Sequence, residues 1–327
     1  MDVAALVNDP VIQKIVTHPD DDTARWRVDL QRFLEQDIQL TRRSAGESAI
    51  SSIQRLLIFL GYSTSASGAF NIDGDFGRGT NRGVAQFQYE QQLSSTISRK
   101  SLCYPCRWNT AKKLITGIPE ATLSEPTLVS MLRVAKERCE QKLVMTGALD
   151  SALFHLNALH HRQFLSCRDI LERYGNAAQT ASHSIREMDG SIVRTEWILA
   201  IIRQETAGVI RPRFEQHYLS RLNSQYPNES LSELRMQSMS LGLGQIMGTN
   251  YKLVGAQSAT ELFTAPVETQ VAFVADFLKP RQLQTKKSDP TAEDFRKVAR
   301  YYNGPQYAAH LYHEQLARWF REFRLLM

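Results

Sequence analysis

The chain has 327 residues, more than one compact core usually organises, so we expect two domains. Hydrophobic residues make up 43% and charged residues 22% of the chain, a balance that argues against extended disorder. The net charge of +5 and the pI near 9.0 favour anionic surroundings, which include cell-wall polymer, lipid headgroups and nucleic acid, without choosing between them.

The first ten residues carry two aspartates and lack both a basic start and a continuous apolar stretch, so they predict no signal peptide. The longest apolar runs, such as residues 197–202, fall far short of the roughly 20 residues that a membrane-spanning helix needs. Four cysteines are too few for a disulfide framework in a chain of this length. Cys103 and Cys106 have the spacing of a zinc knuckle, but Cys139 and Cys167 do not form the second pair. We therefore expect no metal and no cofactor.

Apolar residues recur at helical spacing in the front part of the chain, as in Ile53, Leu56 and Leu60, and they predict a mainly α-helical fold. Gly61 stands where a glycine would end this helix. Residues 127–174 predict nearly continuous helix, which we expect to form a packed connector between two modules. Further helices are expected at residues 267–278 and 306–326, the last of them packed on its own domain rather than on a lipid surface.

A central buried helix is predicted after Thr195, because residues 197–202 are apolar on every side. Thr195 stands at the expected N-cap, and the neighbouring Glu196 is interpreted as structural. The helix runs into Glu205, just before a glycine break at Gly208. A carboxyl group at the negative end of a helix and in apolar surroundings resists ionisation, so we expect its pKa to rise toward the range of a general acid. Cleavage of a glycosidic bond requires such a protonated carboxyl.

A second carboxylate, Glu215, follows ten residues later in the sequence Phe214-Glu215-Gln216-His217. Two carboxyl groups can act as acid and base around a water molecule. The alternative for Glu215 is a structural ion pair. We interpret His217 as a structural histidine and leave it outside the catalytic set.

Three motifs in the same order resemble the lysozyme-like superfamily, which includes goose-type lysozymes, lytic transglycosylases and phage N-acetylmuramidases. Residues 201–208 resemble the segment around its catalytic glutamate. Residues 240–248 resemble the Ser-x-Gly-x-x-Gln-Ile-Met wall of its sugar cleft, and residues 301–305 its Tyr-Asn-Gly element. Glu215 further resembles a second glutamate of the phage muramidase subgroup, although the segment between the two glutamates is shorter here. The resemblance implies catalysis by Glu205 and Glu215, and substrate binding by Ser240, Gly242, Gln245, Met247, Tyr302 and Asn303.

The front part of the chain resembles the helical peptidoglycan-binding module of wall hydrolases. Its signature is a leucine helix, a Gly-Tyr pair, an Asp-Gly-x-Phe-Gly turn with a following Thr, and a final Phe-Gln. Asn71, Asp73 and Asp75 also look like the start of a calcium loop, but the turning glycine and the bidentate glutamate are missing. We expect Asp73 and Gly74 to shape a turn and Thr80 to cap the next helix. The resemblance assigns to this module Tyr62, Asp73, Gly74, Phe76, Gly77, Thr80 and Phe87.

The sequence therefore predicts an all-α protein, with a small helical-bundle wall-binding domain followed by a lysozyme-like α domain. The expected parts are an N-terminal helical extension (1–44), the peptidoglycan-binding domain (45–135), with an insertion at 94–117, a helical connector (136–175) and the muramidase domain (176–327). The resemblance implies a peptidoglycan hydrolase that cleaves the β-1,4 bond between N-acetylmuramic acid and N-acetylglucosamine. The alternatives are a lytic transglycosylase acting on the same bond and a wall-binding protein with an inactive catalytic domain.

The expected partner is bacterial peptidoglycan, with a weak contact to anionic lipid or lipopolysaccharide left open. No motif and no Lys/Arg stripe predicts nucleic-acid binding, and nothing in the sequence requires an oligomer, so we expect a monomer. The resemblance to phage muramidases and the absence of a predicted signal peptide imply a bacteriophage endolysin. Such a protein would stay in the host cytoplasm until lysis and then act at the cell wall and periplasm; a virion-associated lysin is the alternative.

Overall fold

The structure is a computed structural model, and it describes residues 3–20, 30–36, 39–42, 48–103, 108–109, 114–115, 119–189 and 192–327. These residues are mainly helical with a few short strands, which confirms the predicted all-α class. The front elements are α1 (Val3–Val7), α2 (Pro10–Val16), α3 (Ser48–Phe59), α4 (Arg78–Glu90), α5 (Arg99–Cys103), β1 (Trp108–Asn109), β2 (Leu114–Ile115), α6 (Glu125–Glu140), α7 (Leu149–His160) and α8 (Cys167–Asp189).

The remaining elements include the predicted central helix and the predicted helix at 267–278. They are α9 (Thr195–Thr206), β3 (Arg213–Phe214), α10 (Gln216–Gln225), α11 (Leu231–Gln237), β4 (Met239–Leu241), β5 (Ile246–Met247), α12 (Ala259–Thr264), α13 (Val267–Leu278), α14 (Ala292–Asn303) and α15 (Tyr312–Leu326), with 3₁₀ turns at Gly248–Val254, Arg281–Leu283 and Tyr307–His310. No helix among the described residues is long and apolar enough to cross a membrane.

The chain divides into two compact units, which do not follow its linear order. The first unit contains Met1–Arg162, Arg211–Ser240 and Met247–Thr249, and the second contains Gln163–Ile210, Leu241–Ile246 and Asn250–Met327. The domain boundaries expected from the sequence stay a prediction. Residues 211–240 belong with the front module because β3, α10 and α11 pack against it, as described below.

The first unit is organised around α3, whose residues from Ile50 to Phe59 are largely inaccessible to solvent. Helices α2, α4, α6 and α7 contact α3. Gly61 ends this helix as predicted, with φ +84° and a hydrogen bond from its backbone N–H to the carbonyl of Ile58 at 2.9 Å. In the same unit, β3 pairs antiparallel with β4, in the register Arg213 to Ser240.

The predicted nearly continuous helix over residues 127–174 is helical over most of its length but is interrupted twice, because three separate helices, α6, α7 and α8, occupy this range. Lys142 and Gly147 have φ of +58° and +67° between α6 and α7, and Arg162 has φ +53° after α7. A right-handed helix cannot continue through such left-handed residues. The division between the two units also falls here, between Arg162 and Gln163.

The second unit is organised around α9, and residues 197–202 of this helix are fully buried as predicted. Helices α8, α13 and α15 contact α9. Trp197 packs against Phe295 of α14 and Phe320 of α15, with ring centroids 4.8 and 5.0 Å apart. This packing confirms that the last helix covers its own domain. It begins at Tyr312 rather than at residue 306, since Leu311 is left-handed with φ +52°.

Two predicted helix caps are displaced in the structure. Arg194, not Thr195, is the N-cap of α9, and Thr195 is its first helical residue. Gly77, not Thr80, is the N-cap of α4, and Thr80 lies buried one turn inside the helix. Glu196 is buried and its carboxylate lies 2.8 Å from the guanidinium of Arg194, so its structural interpretation is confirmed.

Candidate active site

Glu205 lies in the last turn of α9, at the end of the fully buried part of that helix, and its side chain is half-buried. The helix ends because Ala207 and Gly208 are both left-handed, with φ of +47° and +76°. A Cβ atom on Gly208 would lie 2.8 Å from Leu165, so the break is shaped by packing as well as by backbone freedom. The predicted position of Glu205, at a buried helix end before a glycine break, is thus confirmed.

The glycine-rich segment after β4 packs directly against this helix end. The hydroxyl group of Thr206 lies 2.9 Å from the carbonyl oxygen of Leu243. Gly242 is left-handed with φ +72°, and a Cβ atom there would lie 2.0 Å from the side-chain oxygen of Gln270. A Cβ atom on Gly244 would lie 2.6 Å from the hydroxyl oxygen of Tyr302. Glycine is therefore required at both positions for close packing within the second unit.

Two tyrosine hydroxyl groups lie beside Glu205 and the glycine-rich segment. Tyr302, near the end of α14, donates a hydrogen bond to the carbonyl oxygen of Gly244 at 2.7 Å. Tyr312, the first residue of α15, is buried and donates a hydrogen bond to Oε1 of Glu205. Burial, and then the charge of Glu205, raises the pKa of both Tyr302 and Tyr312 well above its usual range. Both phenols therefore stay protonated at neutral pH.

Sequence reasoning missed Tyr312, because it lies outside the three recognisable motifs. A signal was nevertheless present. Tyr312 begins the buried stripe of the last helix, which continues through Leu316, Phe320 and Phe323 at helical spacing. A tyrosine that heads an otherwise aliphatic and phenylalanine stripe needs a partner for its hydroxyl group, and that partner is Glu205.

The other predicted substrate-binding residues are placed as follows. Gln245 is left-handed with φ +49°, and its side-chain amide donates to the carbonyl of Gly242 at 3.0 Å, so it braces the glycine-rich segment. Asn303 is exposed at the end of α14. The second unit thus brings together Glu205, Gly242, Gln245 and Tyr302. Ser240 and Met247 are half-buried residues of the first unit.

Glu215 also belongs to the first unit, where it is the N-cap residue of α10 directly after β3. Its Oε1 lies 3.0 Å from Nε of Arg213, and its Oε2 lies 3.6 Å from Nδ1 of His217. The side chain is 26% exposed, so it is partly accessible to solvent. The ion pair that the sequence left as an alternative is therefore present.

The signature turn of the front module is built around Gln54, which is fully buried. Its side-chain oxygen accepts from the backbone N–H groups of Asp73 and Gly74 at 2.9 and 3.0 Å, and its amide donates to the Asp73 carboxylate at 2.7 Å. Gly74 has φ +72°, as the predicted turn requires. The same amide nitrogen lies 3.1 Å from the hydroxyl of Thr80, so this turn and α4 are joined through one side chain.

The remaining signature residues form the interior of the module. Tyr62, Phe76, Thr80 and Phe87 are each at most 1% exposed. They support the fold and present no side-chain surface to a ligand. Cys103 is also buried, and burial raises its pKa to about 11, whereas Cys106 lies outside the described residues.

Arg235 of α11 joins residues 211–240 to the front module. Its side chain is 0% exposed and forms two hydrogen bonds with the carboxylate of Glu90, at 2.8 and 3.0 Å. It also donates to the carbonyl of Gly61 and lies over the ring of Tyr62, 4.0 Å from the centroid. Burial alone would lower the pKa of Arg235, but the Glu90 carboxylate outweighs burial and raises it. The pair therefore stays ionised inside the first unit.

A backbone contact strengthens the same junction. The N–H of Phe214 in β3 donates to the carbonyl of Gly68 at 2.8 Å, and a Cβ atom on Gly68 would lie 1.8 Å from the carbonyl oxygen of Phe214. The guanidinium of Arg82 lies 5.0 Å from the centroid of the Phe214 ring. The segment that carries Glu215 is thus packed on the front module.

Comparisons with known proteins identify both modules. Residues 231–324 match the family model of the N-acetylmuramidase domain, and residues 46–96 match that of a peptidoglycan-binding domain. A Burkholderia AP3 phage endolysin of known structure is similar, with 18% identity, coverage of 88% of this chain and 99% of that chain, and a TM-score of 0.33. No curated protein gives a match to this chain. The muramidase match includes Tyr302 and Tyr312 but begins after Glu205 and Glu215.

Proposed function

We propose that Glu205 is the general acid of this chain, which is a peptidoglycan hydrolase with an N-terminal peptidoglycan-binding domain and a C-terminal N-acetylmuramidase domain. The bond cleaved is the β-1,4 linkage between N-acetylmuramic acid and N-acetylglucosamine. One observation carries the assignment: Glu205 stands at the end of a buried helix, with one carboxyl oxygen held by the buried phenol of Tyr312.

In this proposal, the protonated carboxyl of Glu205 delivers its proton to the oxygen of the departing sugar as the glycosidic bond breaks. The transition state has oxocarbenium character, and a water molecule completes hydrolysis at the anomeric carbon. The hydrogen bond from Tyr312 restricts rotation of the Glu205 carboxyl, which orients it for proton transfer. Tyr302 has a positioning role, because its bond to Gly244 holds the glycine-rich segment.

Glu215 is proposed as the second catalytic carboxylate, either as the base for the attacking water or as a negative charge that stabilises the oxocarbenium ion. Its support is the partial solvent exposure of the carboxylate and the phage-muramidase resemblance of residues 214–217.

Glu215→Gln is expected to lower kcat on peptidoglycan by about 10²-fold or more if Glu215 works as a base. Arg213→Gln is the matched control, since it removes the same ion pair and keeps the carboxylate. An ion pair in contact with solvent is worth only about 0–1 kcal/mol, so a purely structural role would give both variants the same small loss, less than about tenfold. Equal small losses would reject the catalytic assignment of Glu215.

Tyr312→Phe is expected to move the alkaline limb of the pH–rate profile to higher pH. Activity requires protonated Glu205 and falls as this group ionises, and the Tyr312 hydroxyl stabilises the ionised form by donating to it. Loss of a hydrogen bond to a charged group is worth about 1.5–3 kcal/mol, so the displacement should be large enough to measure. Tyr301→Phe, at the neighbouring half-buried tyrosine, is the control and should leave the limb in place. If the alkaline limb of Tyr312→Phe stayed in place, the Tyr312 hydroxyl would have no influence on the ionisation of the catalytic acid.

Product analysis tests the reaction itself. Purified protein is incubated with peptidoglycan, and the released fragments are identified by mass spectrometry. Reducing ends at N-acetylmuramic acid support the proposed hydrolysis, whereas anhydro-muramyl ends would establish lytic transglycosylation instead. Binding to peptidoglycan without release of fragments would favour an inactive catalytic domain.

We also propose that the chain is a monomeric phage endolysin that is held in the host cytoplasm and reaches the wall when the membrane is breached. Its support is the pairing of a wall-binding domain with a muramidase domain and the phage-muramidase resemblance of residues 214–217. Two measurements distinguish this from a virion-borne lysin. The protein should be missing from purified virions, and a bacterium that expresses it should lyse only after its membrane is permeabilised. Sedimentation tests the monomer, and vesicle binding tests the contact with anionic lipid.

A further inference from the structure

Three side chains with metal-binding atoms meet in the first unit, far from one another in the sequence. His18 and Asp20 follow the end of α2, and His161 is the C-cap residue of α7. Nδ1 of His18 lies 3.0 Å from Nε2 of His161. Oδ2 of Asp20 lies 3.7 Å from that His18 nitrogen and 3.6 Å from that His161 nitrogen. One carboxylate oxygen and two imidazole nitrogens thus form a triangle with one shorter side, between the two nitrogens.

The dimensions of this triangle fit one face of a tetrahedral zinc site. Zinc binds imidazole nitrogen at about 2.0–2.1 Å and carboxylate oxygen at about 2.0–2.2 Å, so neighbouring ligand atoms in a tetrahedron lie about 3.4 Å apart. Two histidines and one carboxylate are also a donor set that zinc accepts. Small side-chain movements would bring all three atoms to bonding distance of one ion.

The three residues differ in burial, so an ion bound between them would have one side open to solvent. His18 is buried, at 5% exposure, whereas the side chains of His161 and Asp20 are 38% and 78% exposed. An ion held by the three atoms would therefore be covered on the His18 side and face solvent on the other. A water molecule can complete the coordination on that open side.

The two segments that carry the triangle are held together independently by Arg55 of α3. Its buried guanidinium donates to the carbonyl oxygen of Thr17 at 3.1 Å and to the side-chain oxygen of Asn157 in α7 at 2.8 Å. It also lies 3.1 Å from Nδ1 of His160. Arg55 therefore places His18 and His161 near each other without any metal. Its positive charge lies close to the triangle and opposes the binding of a cation there.

A hydrogen-bonded cluster without a metal is the competing interpretation. Nδ1 of His18 accepts from the backbone N–H of Asp20 at 3.1 Å and is within hydrogen-bond distance of His161. These contacts account for the closeness of the two histidines. The Asp20 carboxylate oxygen lies beyond hydrogen-bond distance of both imidazole nitrogens, at a distance that also fits an ion pair with a protonated histidine.

We propose that His18, Asp20 and His161 bind one zinc ion, which clamps the segment after α2 to the end of α7. Sequence reasoning did not find this site, because His18 and His161 are 143 residues apart and neither lies in a recognisable metal-binding motif. Since both segments are in the first unit, the ion acts on the stability of that unit.

The test uses the full chain without an affinity tag, stripped of metal with a chelator, and zinc chloride as the probe. Isothermal titration and zinc analysis after dialysis measure stoichiometry and affinity, and the melting temperature is followed as zinc is added. The variants are Asp20→Asn and His161→Gln, both at exposed or half-exposed positions that can change without loss of the fold. His183→Gln, at an exposed histidine of α8 in the second unit, is the matched control.

The expected result is one zinc ion per wild-type chain and a melting temperature that rises with zinc. Both ligand variants should bind zinc at least roughly tenfold more weakly, since even residues that only support metal ligands contribute 10–100-fold to affinity. His183→Gln should behave as wild type. Absence of stoichiometric zinc in the wild type, or equal binding by wild type and ligand variants, would overturn the site and leave the hydrogen-bonded cluster as the explanation.

Discussion

Replacing Glu205 by glutamine should lower kcat on peptidoglycan by about 10²–10⁴-fold, the range that a general acid contributes, while the protein stays folded. Glutamine matches the size of glutamate, and its side-chain oxygen can still accept from the Tyr312 hydroxyl. The amide cannot deliver a proton to the leaving oxygen, so the chemical step fails and binding to the wall persists. Release of new reducing ends measures activity, and circular dichroism with the melting temperature checks the fold.

Glu196→Gln is the matched control, because Glu196 lies in the first turn of the same helix. Its carboxylate is 4% exposed and paired with Arg194, so the substitution should cost stability. It should leave the activity of the folded fraction near that of the wild type. If Glu205→Gln released glycan fragments as fast as the wild type, the acid would have to be another residue.

The sequence was most informative where a single element carried the pattern. The all-apolar stretch at 197–202 predicted a buried helix, and the glycine break after Glu205 predicted its end, because both depend on local periodicity and backbone freedom. The first residue of the last helix was less predictable. Leu311 adopts a left-handed conformation, which is unusual for leucine and has no sequence signal.

Contacts between distant segments were not predictable. Tyr312 meets Glu205 across 107 residues, and Arg235 meets Glu90 across 145. A charged residue such as Arg235, in an amphipathic seven-residue helix, ordinarily lies on the solvated face. Only the fold shows that this one is buried against the front module, and that the signature residue Tyr62 serves as its partner rather than as a wall contact.

Arg235→Met should destabilise the first unit by about 3–5 kcal/mol, since it leaves the Glu90 carboxylate buried without its cation. Methionine replaces the aliphatic part of arginine and carries no charge, so the loss reports mainly on the unpaired Glu90 carboxylate. A change of this size corresponds to a fall in melting temperature of roughly 6 °C or more. Glu90→Leu should cost a comparable amount, because the guanidinium is then the unpaired charge. Thermal and urea unfolding measure both variants.

The double variant Glu90→Leu/Arg235→Met distinguishes the destabilisation caused by one unpaired buried charge from the stabilisation that the intact ion pair contributes. With both charges removed, no ion is left buried, so the double variant should be more stable than either single one. Tyr62→Phe is the control, because it removes only the hydroxyl that donates to Glu90 at 2.7 Å and keeps the ring over Arg235. It should cost about 1.5–3 kcal/mol. Losses that simply add in the double variant would mean that Glu90 and Arg235 do not act on each other, and that packing alone joins residues 211–240 to the front module.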